Sequence, residues 1–250
     1  MEWRDQGILL SARQHGEASV IIDVLTPSLG RHSGIVRGGK SRKLAPVSQP
    51  GAQLDLLWKA RLQEHIGTFQ VELIRSRSAM VMSDRRALSG LGAVTGMLLA
   101  FLPERETNEP LFYATEQLLD LLEHPEVWST AYLRWELGLL DILGFGLDLS
   151  TCAVTRQTHD LVFISPKTGR AVSRNGAGKW ADRLLPLLPV MLGQDTDDPN
   201  EISQALDVYG YFFENHACQS LGLKQLPLAR TRFLDTLKKP IDSRYKSRIS

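Results

Sequence analysis

The sequence predicts an α+β protein in which a small closed β-barrel over residues 1–80 precedes a mainly helical body. Two observations carry this expectation. Five short β-branched runs crowd together before Arg77, and after Ser83 the apolar spacing changes to the threes and fours of a helix. The barrel strands are read at residues 7–12, 19–26, 32–37, 53–61 and 68–75. Turn-forming links separate them, at Gln14-His15-Gly16, Pro27 to Gly30 and Pro46 to Gly51. Strands this short and this close together favour closure, because an open sheet would leave long unpaired edges.

Each helix is marked at its ends. Ser83 or Asp84 can cap a helix that runs to about residue 102, ahead of Pro103. Asn108, with Pro110 in the first turn, opens a second helix ending near Glu123. A third runs over 125–143 and stops at Gly144, with Val127, Ala131, Trp135, Leu139 and Ile142 as its core-facing stripe. Residues 150–180 read as irregular, with a short extended piece at 161–164 and a turn at 166–169. A helix is expected from about Lys179, a loop over 195–199, and a long helix from an Asn200 cap to Gly222. A short helix over 228–237 and a basic end complete the chain. The expected division is a barrel domain at 1–80, a helical domain at 81–149 with 180–240, an insertion at 150–179, and a C-terminal end at 241–250.

Composition narrows the classes. Hydrophobic residues make up 43% of the 250, enough to build a core, so disorder throughout is excluded. No apolar run is long enough to span a membrane. The first 30 residues carry Glu2, Arg4, Asp5, Arg13, Glu17 and Asp23, so no secretory signal is expected and the chain reads as cytoplasmic. The two cysteines, Cys152 and Cys218, cannot form a disulfide framework or a four-cysteine zinc site. The formal charge of +1 conceals a strong asymmetry: residues 87–149 hold ten acidic and two basic side chains, while residues 24–54 hold no acidic residue at all.

That acid-free stretch contains the candidate site. Arg31, Arg37, Lys40, Arg42 and Lys43 are interleaved with Gly34, Gly38 and Gly39. Cations on a glycine-rich hairpin suit a sugar–phosphate backbone, which can approach closely where there is no Cβ. Aromatics are sparse nearby, and Trp58 and Phe69 are candidates for the core, so binding by charge rather than by base reading is expected. The same segment, Gly34 to Ser41, also matches the G-x-x-x-x-G-K-[ST] phosphate loop, although it lacks the preceding buried strand and following helix. A nucleotide-binding protein therefore stands as an alternative, as does a protein-interaction adaptor. Elsewhere, Cys152 with His159 does not make a metal or catalytic constellation, and the basic residues from Arg230 to Arg248 are either a solvated end or a second phosphate contact.

Several segments, in order along nearly the whole chain, resemble the RecO family of bacterial recombination mediators. They are Trp3 to Leu10, Arg13 to Glu17, Leu25-Thr26, Gly30 to His32, Val36 to Gly39 with Ser41-Arg42, Tyr132 to Leu140, Leu143-Gly144, Leu149 to Cys152, and Ser243-Arg244. The resemblance implies an OB-fold barrel, a helical domain and a zinc-ribbon-like insertion. It implies a non-enzymatic protein without cofactor that binds single- and double-stranded DNA and anneals strands. It further implies partnership with RecR and with the acidic tail of single-stranded-DNA-binding protein, so that RecA can load. Members with zinc carry two Cys-x-x-Cys pairs in the insertion; here Cys152 remains with Thr155 at the partner position, so zinc is not expected and packing must hold the loop. An acidic tail with an apolar end needs an apolar groove with a cation at its rim, and within the acidic middle the cations available are Arg105 and Arg134, of which Arg134 is the expected partner contact.

Overall fold

The computed structural model describes residues 1–38, 46–62, 64–196 and 198–238. Five strands, β1 (Glu2–His15), β2 (Ser19–Thr26), β3 (Gly30–Val36), β4 (Ala52–Lys59) and β5 (Thr68–Ser76), close into a barrel in the order β1-β2-β3-β5-β4. β1 is twice the length read from the sequence. Its first half pairs with β4 (Glu2↔Lys59 to Ile8↔Gln53) and its second with β2 (Ile8↔Leu25 to His15↔Ser19). The polar start of β1 was not legible as strand because its partners are polar too: Arg4 pairs with Asp55 and Glu2 with Lys59 across the β4 ladder. A bulge between Leu9 and Ser11 adds the twist that lets one strand serve two neighbours. Two parallel pairs, Ile35↔Thr68 and Val36↔Phe69, complete the closure.

The barrel interior is filled by Leu9, Val20, Ile22, Val24, Val36, Leu54, Leu56, Trp58 and Phe69. Gly34 belongs to this interior: the Phe69 ring lies where its Cβ would be. On the outside, Ile8, Leu10 and Leu25 join a second and larger core made with the helices.

After the single turn α1 (Arg77–Met80), the Asp84 carboxylate caps α2 (Arg85–Phe101) by accepting from the amides of Arg86 and Ala87. Asn108 caps α3 (Glu109–Asp120), which continues as the 3-10 turn Leu121–Glu123, and α4 (Pro125–Ile142) follows. The buried face of α4 is Trp128, Tyr132, Leu133, Trp135, Glu136, Leu139 and Leu140. The expected stripe was therefore rotated: Trp135 and Leu139 belong to it, but Val127 and Ile142 are exposed. The reason is the wholly buried Glu136, which no hydropathy pattern assigns to a core.

Residues 150–187 form a small lobe around a three-stranded sheet, β7 (Ala171–Ser173), β6 (Leu161–Ile164) and β8 (Leu185–Pro186), in that order. The turn α5 (Arg174–Ala177) follows β7. The helix expected from Lys179 is the 3-10 segment Gly178–Arg183, bounded by Gly178 at φ +47° and by Pro186 in β8. Asp198, not Asn200, caps α6 (Pro199–Phe212), with Pro199 in the first turn. The long helix then widens into π geometry over Phe213–Cys218 before α7 (Gln219–Leu221) stops at Gly222, whose φ is +66°. The last element, α8 (Leu228–Leu237), packs along α2. Among the described residues no helix is long and apolar enough to cross a membrane.

Candidate nucleic-acid interface

The outer face of β3 carries Arg31, Ser33 and Ile35, since alternate residues point out of the barrel while His32, Gly34 and Val36 point in, and Arg37 follows in the turn beyond Val36. The two arginines differ. Arg31 is drawn into the seam between barrel and helices: its Nε donates to the Leu102 carbonyl at 2.8 Å and its guanidinium lies 3.6 Å from Glu104. The Ser33 hydroxyl, in the same row, shares its one proton between the carboxylates of Asp23 at 2.6 Å and Glu104 at 2.9 Å. Arg31 was expected to contact phosphate, but the fold uses its side chain to hold the barrel against the segment after α2. The physical reason is the acidic residue Glu104, brought beside β3 by a parallel bridge between residues 31 and 104.

Arg37, beyond the other end of β3, is exposed and has no hydrogen bond or ion pair with the described residues. It follows Val36, which pairs with Val20, and so sits beside the β1–β2 turn. Gly38 turns the chain there at φ +68°. Lys40, Arg42 and Lys43 lie outside the described residues. The phosphate-loop alternative fails on this geometry: Gly34, Ile35 and Val36 are ladder residues of β3, with their backbone groups committed to strand pairing and unable to curl round a phosphate.

Trp58 and Phe69 are core residues, as their composition suggested, with exposures of 1% and 3%. With the partly buried Trp3 they box in His32, whose ring is nearly perpendicular to Trp3 at 5.2 Å and to Trp58 at 5.1 Å. Neither His32 nitrogen has a hydrogen-bond partner among the described residues. Burial, and then the nearby Arg105 charge, hold the imidazole below its usual range, with Glu104 opposing them.

The remaining candidates separate. Arg134 is exposed on α4, 3.7 Å from Asp195, and does not line the groove between α2 and α8. Arg105 is exposed, with φ +65°, and reaches toward the His65 carbonyl. Arg230 is buried and clasps Glu136 with two hydrogen bonds of 2.7 and 2.8 Å, so it is not part of a solvated end. Two features escaped the sequence reading. A groove of about 410 Å³ lies between the start of α2 and α8, lined by Met82, Leu88 and Ala229 with Arg85 and Arg232 among its walls. On the lobe, the half-exposed Trp180 ring has Lys179 Nζ at 5.4 Å and Arg183 Cζ at 5.2 Å from its centroid, a cation–π cluster at the surface. The groove has no linear signal, because tertiary contact brings its residues together, whereas the aromatic and its two cations lie within five consecutive residues.

A closed five-stranded barrel joined to a helical body is the architecture that the resemblance to a DNA-repair family implied. The comparisons agree with that class. The family model for the N terminal of recombination protein O matches residues 1–77, and the model for its C terminal matches residues 82–225. The chain belongs to the RecO family. Among curated relatives, it is similar to the DNA repair protein RecO of Roseobacter denitrificans, at 58% identity over 96% of this chain and 99% of that protein. It is 54% identical to that of Ruegeria sp., over 96% of this chain and 100% of the relative, and 54% identical to that of Jannaschia sp., over 96% and 98%. Membership places the chain in DNA repair and recombination.

Proposed function

We propose that the chain is a non-enzymatic recombination mediator that binds and anneals single-stranded DNA and, with RecR, assists RecA loading on strands coated by single-stranded-DNA-binding protein. The observation that carries the reading is Arg37, exposed at the exit of β3 and leading into Lys40, Arg42 and Lys43 within a stretch free of acidic residues. With Arg31 used internally, four cations remain for phosphate. Changing Arg37, Lys40 and Arg42 to Ala is expected to weaken binding alike across sequences and to flatten the salt dependence by about 2 in log–log slope, at about 0.7 per contact on single strands. Gel-shift titrations over a salt series on single- and double-stranded DNA measure this; unchanged affinity and slope would remove the DNA contact from this segment.

The tail of the single-stranded-DNA-binding protein, acidic with an apolar end, finds complementary chemistry in the groove at Met82, Leu88 and Ala229, with Arg85 and Arg232 exposed and unpaired with any carboxylate among the described residues. Arg134 is the competing contact. Reversing Arg85 and Arg232 to Glu should abolish capture of the tail peptide, with Arg134→Glu retaining it; the opposite result assigns the contact to α4.

A further inference from the structure

The lobe repeats one motif twice. Cys152 and Thr155 are separated by two residues, as are Ser173 and Gly176, and 17 residues lie between the pairs. That spacing is the C-x2-C-x15–20-C-x2-C pattern of a four-cysteine zinc site with three of its four ligands exchanged. The fold brings all four positions to one point. In the first turn the amides of Val154 and Thr155 donate to Cys152 Sγ at 3.4 and 3.3 Å. In the second, the Gly176 amide donates to Ser173 Oγ at 3.1 Å. Across the gap, Ser173 gives Cys152 Sγ both its amide, at 3.2 Å, and its hydroxyl, at 3.3 Å. Thr155 Oγ1 lies 3.3 Å from Ser173 Oγ. A Cβ on Gly176 would stand 2.9 Å from Cys152 Sγ and 3.0 Å from Ser173 Oγ, so the fourth position also faces the sulfur.

The donor set does not suit zinc. A structural site needs four thiolate, imidazole or carboxylate ligands. Here there is one sulfur, two hydroxyls that stay protonated and a residue without a side chain, and no group of three or more His, Cys, Asp or Glu among the described residues is placed to help.

We infer that this lobe is a metal-free form of a tetrahedral thiolate site, in which Cys152 Sγ, held by four donors from both turns, ties them together in place of an ion. Packing alone was expected to hold the segment, but its core is small: Cys152, Val172 and Ala177, with Leu161, Phe163 and Leu184 around them. The sulfur is wholly buried at the centre of that core and is the acceptor common to both turns. The fold of the lobe is therefore independent of zinc supply.

Three measurements test this on the full chain. Purified protein should contain well under one equivalent of zinc, and excess EDTA should leave its thermal midpoint unchanged; a stoichiometric metal or a chelator-lowered midpoint overturns the inference. Thr155→Cys/Ser173→Cys/Gly176→Cys, refolded with Co2+, should take up one equivalent with the visible spectrum of tetrahedral thiolate and acquire a chelator-sensitive midpoint. A folded variant that takes up no Co2+ shows that the four positions do not converge. If the triple variant does not fold, Thr155→Cys/Ser173→Cys supplies three thiolates without crowding position 176 and is read the same way. Finally, Cys152→Ala should raise hydrogen exchange at the Val154, Thr155 and Ser173 amides at least tenfold over the wild type, and unchanged protection there would remove the sulfur from its role.

Discussion

Arg230 and Glu136 show how far a residue's setting can depart from its sequence context. Arg230 opens a run of basic residues, and Glu136 lies in a helix rich in acids, yet the two form a buried bidentate pair 94 positions apart. Tyr132 donates its hydroxyl to the same carboxylate at 2.6 Å, and Arg230 also donates to the Leu206 carbonyl at 2.6 Å. Burial pulls the Arg230 guanidinium down while Glu136 raises it above its ordinary value, so it remains charged; burial, with Glu136 adding to it, pushes the Tyr132 phenol well up and keeps it a donor. Because the Glu136 carboxylate is wholly buried and takes its hydrogen bonds from Arg230 and Tyr132, removing one side of the pair strands the other. Glu136→Leu is expected to destabilise the protein on the order of 3–5 kcal/mol in chemical denaturation. The double change Glu136→Leu/Arg230→Met should recover much of that loss.

His32 gives the residue-scale pH dependence. The folded chain keeps its imidazole below the usual value of about 6.5 while the unfolded chain titrates normally. The unfolded state therefore binds the proton more readily, and stability falls as pH drops below about 6.5. Denaturation midpoints compared at several pH values between neutral and mildly acidic should show this slope, and His32→Phe, which fits the aromatic box, should reduce it. An equal slope in the variant would assign the pH dependence to other groups.

At the scale of elements, glycines and caps fix where strands and helices may lie. Gly30 has φ +67°, and a Cβ there would overlap the Glu106 carbonyl where β3 meets the segment after α2. Gly30→Ala meets both a left-handed backbone and a backbone clash, so a loss on the order of 1–3 kcal/mol is expected from thermal unfolding. Arg37 lies in the turn beyond the far end of that strand, so DNA affinity of the folded variant should stay within about twofold. Arg75 of β5 reaches Asp120 of α3 at 2.8 Å, and two further arginines join the barrel to the helices in different surroundings. Arg31 reaches Leu102 and Glu104, while the buried Arg77 reaches Asp120 at 2.7 Å, Gln53 at 2.9 Å and the Gly51 carbonyl. Both draw on carboxylates of the acidic middle. Part of the charge asymmetry is thus internal glue rather than a surface field.

For the molecule as a whole, the charge pattern along the chain still matters after these pairings are removed. The acid-free stretch leaves the barrel at Arg37, and the exposed Arg85 and Arg232 flank an apolar groove formed by α2 and α8. Under the proposed function, separate cationic surfaces on barrel and helices would let DNA and an acidic peptide bind together. If they are independent, saturating tail peptide should leave DNA affinity unchanged within about twofold, as fluorescence anisotropy of labelled single strands would show. Strong competition would place both ligands on one surface.

The chain by itself determined the barrel, most helix ends and the acid-free stretch, but not that β5 lies between β3 and β4, so that the stretch joins two strands not paired with each other and is no hairpin. Strand alternation, turn glycines and capping side chains act between near neighbours, so their physics is written locally. It could not show that Arg31 and Arg230 face inward, that Glu136 is core, or that Thr155, Ser173 and Gly176 meet Cys152. These depend on which distant groups share a low-dielectric interior, and a charged or small residue reads as surface or turn until its partner is in place. Only the tertiary structure supplies that partner.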